Sequence, residues 1–193
     1  LSMKNDLDLD IVVEGDEKKV VRTELNNPSL KVVLSRPKNT LIDFKFSPEE
    51  NYIITLERVK TRESIADLYP DYDKANVKIY DDLMYRHWDQ WQDEYSKQLI
   101  LYPIKDGKVS GEGKNLLEGT PYHGVMVPFG GLGDVIFIGE SKVVYTTKKM
   151  TGKEFATSTD SDLYAYDIQT GETSNLTGPY LGYDMHPRLH EKT

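Results

Sequence analysis

Asp134-Val135-Ile136-Phe137-Ile138, Gly139-Glu140-Ser141, Lys142-Val143-Val144-Tyr145-Thr146 reads as strand, turn, strand. Both arms are dominated by β-branched and aromatic residues, which suit a pleated, half-buried surface, and the joint between them carries Gly and Ser. Working outward, the same grammar recurs upstream. Leu41-Ile42-Asp43-Phe44-Lys45-Phe46 runs into Ser47-Pro48-Glu49-Glu50-Asn51 and returns as Tyr52-Ile53-Ile54-Thr55-Leu56. Pro48 presets the φ of its turn.

Each of these hairpins is followed by a second one. Downstream it is Asp162-Leu163-Tyr164-Ala165-Tyr166-Asp167-Ile168, Gln169-Thr170-Gly171-Glu172, Asn175-Leu176-Thr177-Gly178. Upstream it is Leu99 to Ile104, Lys105-Asp106-Gly107-Lys108, Asn115-Leu116-Leu117-Glu118-Gly119. A weaker version, Asp10-Ile11-Val12-Val13, Glu14 to Glu17, Lys19-Val20-Val21, opens the chain. Strand, turn, strand, gap, strand, turn, short strand ending in Asn-Leu is the unit of a four-stranded propeller blade. An antiparallel sandwich of similar hairpins is the competing architecture, and the matched Asn-Leu endings favour the blade.

The fold expected is therefore all-β: a partial β-propeller of about two full four-stranded antiparallel blades with partial blades beside them. The units fall at about residues 1–39 (partial), 40–119 with an insertion over 60–95, 120–178, and 179–193 (partial). A closed ring takes 4–8 blades, so this is an incomplete one. The blade edges left exposed invite pairing with another copy, hence self-association.

The insertion differs from its surroundings. Asp71-Tyr72-Asp73 reads as a loop ending in a helix cap. Beyond it Val77, Tyr80, Leu83, Met84, His87, Trp88 and Trp91 recur at spacings of three and four, which predicts an amphipathic helix or helical turns over about 73–95.

Net charge is −8 with scattered Lys and Arg, which excludes a nucleic-acid partner, since phosphate binding needs a basic face. No apolar run approaches the roughly 20 residues that span a bilayer, so no membrane partner is expected. Leu1 to Asn5 lacks the basic and apolar segments of a signal peptide. Cysteine is absent, which removes disulfides, thiolate metal sites and a Cys nucleophile.

Ala66-Asp67-Leu68-Tyr69-Pro70-Asp71, Asp81-Asp82-Leu83-Met84-Tyr85-Arg86-His87-Trp88-Asp89-Gln90-Trp91, Lys148 to Ala156 and Gly182-Tyr183-Asp184-Met185-His186-Pro187 carry a resemblance. From about residue 40 to 189 the chain resembles the propeller of bacterial dipeptidyl peptidases and acylaminoacyl peptidases of the prolyl oligopeptidase family, above all the dipeptidyl peptidase 5 group. It departs from that pattern after Pro187 and matches only loosely over 1–39. The resemblance implies a periplasmic or secreted serine peptidase whose Ser-Asp-His triad stands on a separate α/β-hydrolase domain. This chain would then be the part that gates and orients short peptide substrates, with no catalytic residue of its own. A freestanding propeller-type interaction module is the alternative.

The sequence agrees that catalysis lies elsewhere. It contains no Gly-x-Ser-x-Gly elbow; Gly139-Glu140-Ser141-Lys142-Val143 lacks the second glycine and reads as a turn. Gly130-Gly131-Leu132-Gly133 lacks the Lys-Ser/Thr of a phosphate loop and reads as a connection between blades. His87 suits packing, and His123, His186 and His190 stand apart without metal-ligand spacing. Asp160 and Asp162 read as a blade loop. No metal or cofactor is expected.

What remains is recognition. A protonated amine in a partly dry site requires a carboxylate at hydrogen-bond range. By the resemblance, the insertion offers it: one of Asp89, Asp93 or Glu94 would hold the substrate amine, Arg86 a substrate carbonyl, and Trp88 and Trp91 would line the site. The competing account has both tryptophans packing the insertion down while the acids form a solvated face.

Overall fold

The computed structural model describes residues 7–14, 17–24, 27–35, 39–72, 74, 77–106 and 108–190. The first sheet is a three-stranded meander of β1 (Leu7–Glu14), β2 (Glu17–Glu24) and β3 (Asn27–Ser35), antiparallel throughout. Gly15 and Asp16, Asp73, Gly107, the opening residues 1–6 and Glu191 to Thr193 lie outside the described residues, and so do the readings made there.

Two longer meanders follow. One is built from β4 (Thr40–Phe46), β5 (Tyr52–Lys60), β6 (Arg86–His87) and β7 (Gln90–Trp91) on an excursion, then β8 (Tyr95–Lys105), β9 (Lys108–Val109) and β10 (Lys114–Asn115). Its sheet order is β4-β5-β8-β10, with β9 folded back on the end of β8. The other consists of β11 (Val135–Ile138), β12 (Lys142–Thr147), β13 (Asp162–Asp167) and β14 (Thr173–Asn175) in simple sequential order. Every strand pair is antiparallel, and the hairpins read from the sequence stand where they were expected. The described residues are mostly antiparallel β-sheet with two short helices, α1 (Ile65–Leu68) and α2 (Gly152–Thr157).

The period of two along each strand decides what goes inside. Ile54 and Leu56 of β5 and Leu99 and Leu101 of β8 point to one face, where they meet Val135, Phe137, Val143, Tyr145, Tyr164 and Tyr166 of the neighbouring sheet in a single core. Each such aliphatic side chain, fully buried, contributes roughly 1.5–3 kcal/mol. The opposite face of β5 and β8 is buried too, with Leu41, Ile53, Ile100 and Tyr102 in a second cluster. The middle sheet thus has no solvated face.

Within that second layer sits Glu57, fully buried. Its carboxylate accepts from Thr55 Oγ1 at 2.6 Å, Tyr102 Oη at 3.0 Å and Asn39 Nδ2 at 3.1 Å. Burial raises its pKa, and these three donors resist that rise.

Polar contacts at the rim join the two sheets. Glu140, in the β11–β12 turn, accepts from Ser47 Oγ and from the Glu49 backbone N–H, both at 2.7 Å. Lys45 Nζ donates to the carbonyls of Leu132 at 2.8 Å and Val135 at 2.6 Å.

The helix expected over 73–95 is not formed among the described residues of that span, 74 and 77–95; this reading is corrected. The helical content of the excursion comes earlier, as α1 and a 3-10 turn at Pro70–Tyr72. Residues 77–95 are instead irregular chain with bends around the tight β6–β7 hairpin, in which Arg86 pairs with Trp91 and His87 with Gln90. Two features oppose a helix. Trp88 sits at φ 57°, a left-handed conformation that right-handed helix cannot include. Asp82 Oδ1 accepts the Leu83 backbone N–H at 2.7 Å, a local bond that competes with helical pairing. Among the described residues 179–190 of the stretch read as a further partial unit, Tyr183 makes a parallel bridge to Ser161 and no longer strand forms.

The base of the excursion is narrow. Lys60 faces Tyr95 in the β5–β8 register, and the Thr61 and Arg62 N–H groups both donate to the Glu94 carbonyl, at 2.9 and 3.1 Å.

Candidate functional site

The excursion begins with a cap that local sequence explains. Ser64 and Asp67 form a capping box at the start of α1, the Ser64 hydroxyl receiving the Asp67 N–H and the Asp67 carboxylate receiving the Ser64 N–H. Lys60 also pairs with Asp67 and, with Ser64, holds its carboxyl well below the usual range.

Between the excursion, the start of β8, the loop 119–128 and the segment 148–155 lies a cavity of about 680 Å³. That is the size of pockets that take small organic ligands or short peptides. One wall is aromatic: Tyr80 stacks on Trp91 with centroids 6.4 Å apart, and Tyr85 stacks on Trp91 at 6.2 Å. Tyr80 Oη donates to the Gln92 carbonyl at 2.6 Å, which orients the ring.

Of the six residues expected to bind substrate, Trp91 and Asp93 line this cavity, while Arg86, Trp88, Asp89 and Glu94 do not. Asp93 is pinned on both oxygens. Its Oδ2 pairs with Arg58, and its Oδ1 accepts the Tyr95 N–H at 2.9 Å. Arg58 is itself seated over the Tyr95 ring, 3.9 Å from the centroid. A carboxylate offers about four acceptor positions, so a fixed Asp93 keeps capacity for a donor in the cavity. Arg86 Nε donates to the Trp88 carbonyl at 3.1 Å, and its guanidinium lies 5.7 Å from the Trp91 centroid. Trp88 is 73% exposed and meets Phe129 edge-on at 5.6 Å. Asp89 stands in the hairpin turn, and the Glu94 carbonyl closes the base of the excursion.

The structure brings in residues that sequence reasoning passed over. His123 lines the cavity, and its Nδ1 accepts the Lys97 backbone N–H at 3.0 Å. Burial first, then the charges of Arg62 and Lys97, lower its pKa to about 4, so the ring is neutral near pH 7. With Nδ1 accepting, the proton resides on Nε2, which becomes a donor. Lys97 also lines the cavity, its Nζ donating to the Pro128 carbonyl at 3.2 Å, and burial lowers its pKa. Lys148 donates to the carbonyls of Phe155 and Ser158. His87 packs edge-on against Phe155 at 6.4 Å, in keeping with a packing role.

His186 is not isolated: its Nδ1 lies 3.0 Å from Oδ1 of the buried Asp134. Among the described residues no group of three or more His, Asp or Glu side chains is gathered for a metal ion, and no helix is long and apolar enough to cross a membrane.

Fold and site together define an all-β, antiparallel protein with a cavity between a long excursion and a sheet pair, walled by aromatic rings, the carboxylates of Asp81, Asp82 and Asp93, and several cations. The chain is 35% identical over 147 residues to dipeptidyl-peptidase 5 of Porphyromonas gingivalis, covering 76% of this chain and 21% of that protein. It is 34% identical over 145 residues to dipeptidyl-peptidase 5 of Porphyromonas endodontalis, covering 75% and 21%. These similarities establish a relationship to dipeptidyl-peptidase 5, hence to a peptidase. The chain spans about a fifth of the length of the curated relatives it matches. No family model matches it.

Proposed function

We propose that this chain is the substrate-gating and orienting part of a β-propeller in a serine exopeptidase of the dipeptidyl peptidase type. The two four-strand meanders are consecutive blades, and the middle sheet supports this by burying both faces, as a blade flanked by others must. The whole protein acts on short peptides in the periplasm or outside the cell, with the nucleophile on a hydrolase domain of the prolyl oligopeptidase type. The cavity beneath the excursion receives the free amino end of the peptide.

The observation that carries this reading is Asp93. It is the one of the three nominated acids that lines the cavity, and Arg58 and the Tyr95 N–H, both from residues of the same cavity lining, fix it in place. An incoming ammonium meets a carboxylate already in place, in a cavity lining that also holds the stacked Tyr80 and Trp91 rings. Fixing the acceptor beforehand removes the ordering cost that a free side chain would impose on binding.

Calorimetric titration of the chain with short peptides tests this. Peptides with a free N-terminus should bind, and their N-acetylated counterparts should bind at least tenfold more weakly, the loss of one charge-assisted hydrogen bond. Asp93→Asn should erase that difference. Equal binding of free and acetylated peptides would remove the amine from the argument.

A further inference from the structure

His123 is held at three points, and one of its ring atoms is left over. Its Nδ1 accepts the Lys97 backbone N–H at 3.0 Å, its carbonyl accepts from Thr147 Oγ1 at 2.5 Å, and the neighbouring Gly124 N–H donates to the Lys97 carbonyl at 2.8 Å. The ring cannot turn without releasing the Lys97 N–H. A nitrogen that accepts a backbone N–H carries no proton of its own, so the proton of the neutral ring resides on Nε2. Among the described residues nothing accepts that Nε2–H, yet Nε2 is not one of the buried polar atoms left without a partner. It is open to solvent, and the open space that His123 lines is the cavity.

The strand that anchors His123 also anchors Asp93. Tyr95 and Lys97 are two residues apart on β8, so their N–H groups leave the same edge of the strand. That edge faces away from β5, since the Lys97 carbonyl takes the Gly124 N–H. The Tyr95 N–H holds Asp93 Oδ1 at 2.9 Å, and the Lys97 N–H holds His123 Nδ1. The two anchoring N–H groups are roughly 7 Å apart, twice the rise of a strand residue. Asp93 is close enough to act on the charge of the His123 ring. One strand edge thus presents an acceptor for an ammonium and, about two residues further on, a neutral donor. In an extended peptide the carbonyl of the second residue stands at about that remove from the amino nitrogen.

We propose that the His123 Nε2–H receives the carbonyl of the second residue of a peptide whose amino end sits at Asp93. His123 then fixes where the main chain of the peptide lies, whatever side chains it carries. Arg86, to which the sequence reading gave the substrate carbonyl, lies outside the cavity lining and turns its Nε to the Trp88 carbonyl. The proposal rests on the amine-binding reading above and adds one contact to it. No bond is made or broken.

Alanyl-alanine amide and its two thioamide isomers, with sulfur in place of the oxygen of the first or of the second residue, test this by calorimetric titration of the 193-residue chain. Sulfur is a weaker acceptor than oxygen. At the second residue it should weaken binding about 3- to 10-fold, the net worth of one hydrogen bond, and at the first by less than about twofold. His123→Phe keeps a ring and removes the donor, so it should bind the parent amide and the second-residue thioamide alike. His123→Gln, whose amide nitrogen can donate in place of Nε2, should retain the difference. Should His123→Phe fail to fold, as judged by circular dichroism, heteronuclear NMR of the unaltered chain decides. The Nε2–H signal should shift when the parent amide is added and shift far less with the second-residue thioamide.

Equal binding of all three ligands, or an Nε2–H signal that none of them moves, overturns the proposal. A loss confined to the first-residue thioamide overturns it as well, by placing the other carbonyl at the ring. If N-acetylation of the dipeptide changes nothing while second-residue sulfur still weakens binding through His123, the amine reading falls and the His123 contact stands. Dependence on the free amine without a sulfur effect keeps the amine reading and removes the contact. Absence of binding by every ligand overturns both.

Discussion

The two long meanders share a plan and differ in one connection. In β4-β5-β8-β10 and β11-β12-β13-β14 alike, the third strand ends its pairing against a short strand closed by Asn-Leu. Asn115 faces Ile100 and Asn175 faces Tyr164; Leu116 N–H donates to the Leu99 carbonyl at 2.9 Å, and Leu176 N–H to the Leu163 carbonyl at 2.8 Å. Even the Asn side chains correspond, Nδ2 of Asn115 donating to Gln98 at 2.7 Å and that of Asn175 to Asp162 at 2.9 Å. Between the second and third strands the plans part. One sheet inserts residues 61–94, the other only 148–161 with α2. Repetition maintains the core, and departure from repetition makes the cavity.

If the two sheets are one cooperative body, damage in either should register equally. Leu56→Ala on β5 and Val143→Ala on β12 both open space in the shared core. The first should cost about 2–5 kcal/mol and the second somewhat less. Both should lower a single thermal transition seen by calorimetry. Two separate transitions, with each variant moving only one, would divide the sheets into independent units.

The pH dependence sharpens the contrast between excursion side and core side. His123 takes its proton near pH 4 when folded and near 6.5 when unfolded. A depressed His pKa means the unfolded chain binds the proton first, so stability is lost as pH falls from 6.5 toward 4, on the order of 3 kcal/mol in total. Glu57 acts with the opposite sign: its raised pKa makes the folded chain the better proton acceptor, which favours folding as pH falls. In urea titrations at pH 7 and pH 4.5, His123→Gln should therefore lose less stability on acidification than the parent protein. An unchanged pH profile in that variant would show that His123 is not the titrating group.

The smallest effect separates the two closing turns. Asn175 Oδ1 accepts two backbone N–H groups, from Thr177 at 3.1 Å and Gly178 at 2.9 Å, whereas Asn115 Oδ1 accepts one, from Leu117 at 2.9 Å. Asn175→Ala should cost about 1–2 kcal/mol and Asn115→Ala about 1 kcal/mol, read as shifts in the urea midpoint. The reverse order would mean that the Asn115–Gln98 bond outweighs the second turn contact.

The strands were legible because their information is local. Alternation in Leu41 to Phe46 or Val143 to Tyr145 reports a buried face without reference to the rest of the chain. The excursion was not, because spacing of three and four is ambiguous when a tight hairpin can produce it. Tyr85 and Trp91 stack because Arg86, next to Tyr85, pairs with Trp91 across β6 and β7, not because they share a helix face. The helix that does form was announced by Ser64 and Asp67 at capping-box spacing, a signal easily lost in a charged stretch. Asp93 was nominated with two neighbours and only tertiary packing separates it from them. His123 and Lys97 are 26 positions apart and meet through pairing of backbone to ring nitrogen, which no one-dimensional pattern encodes.

The narrow neck where Thr61 and Arg62 bind the Glu94 carbonyl has a consequence for how such a protein can change. Because the excursion leaves β5 and rejoins β8 at facing positions, its two ends meet at one hydrogen-bonded clasp, and beyond it only side-chain contacts such as Arg58–Asp93, His87–Phe155 and Trp88–Phe129 are needed to seat it. It behaves as an exchangeable cassette on an unchanging chassis. Diversification of ligand preference can proceed by replacing that cassette whole, with the strands beneath it keeping their register and their core.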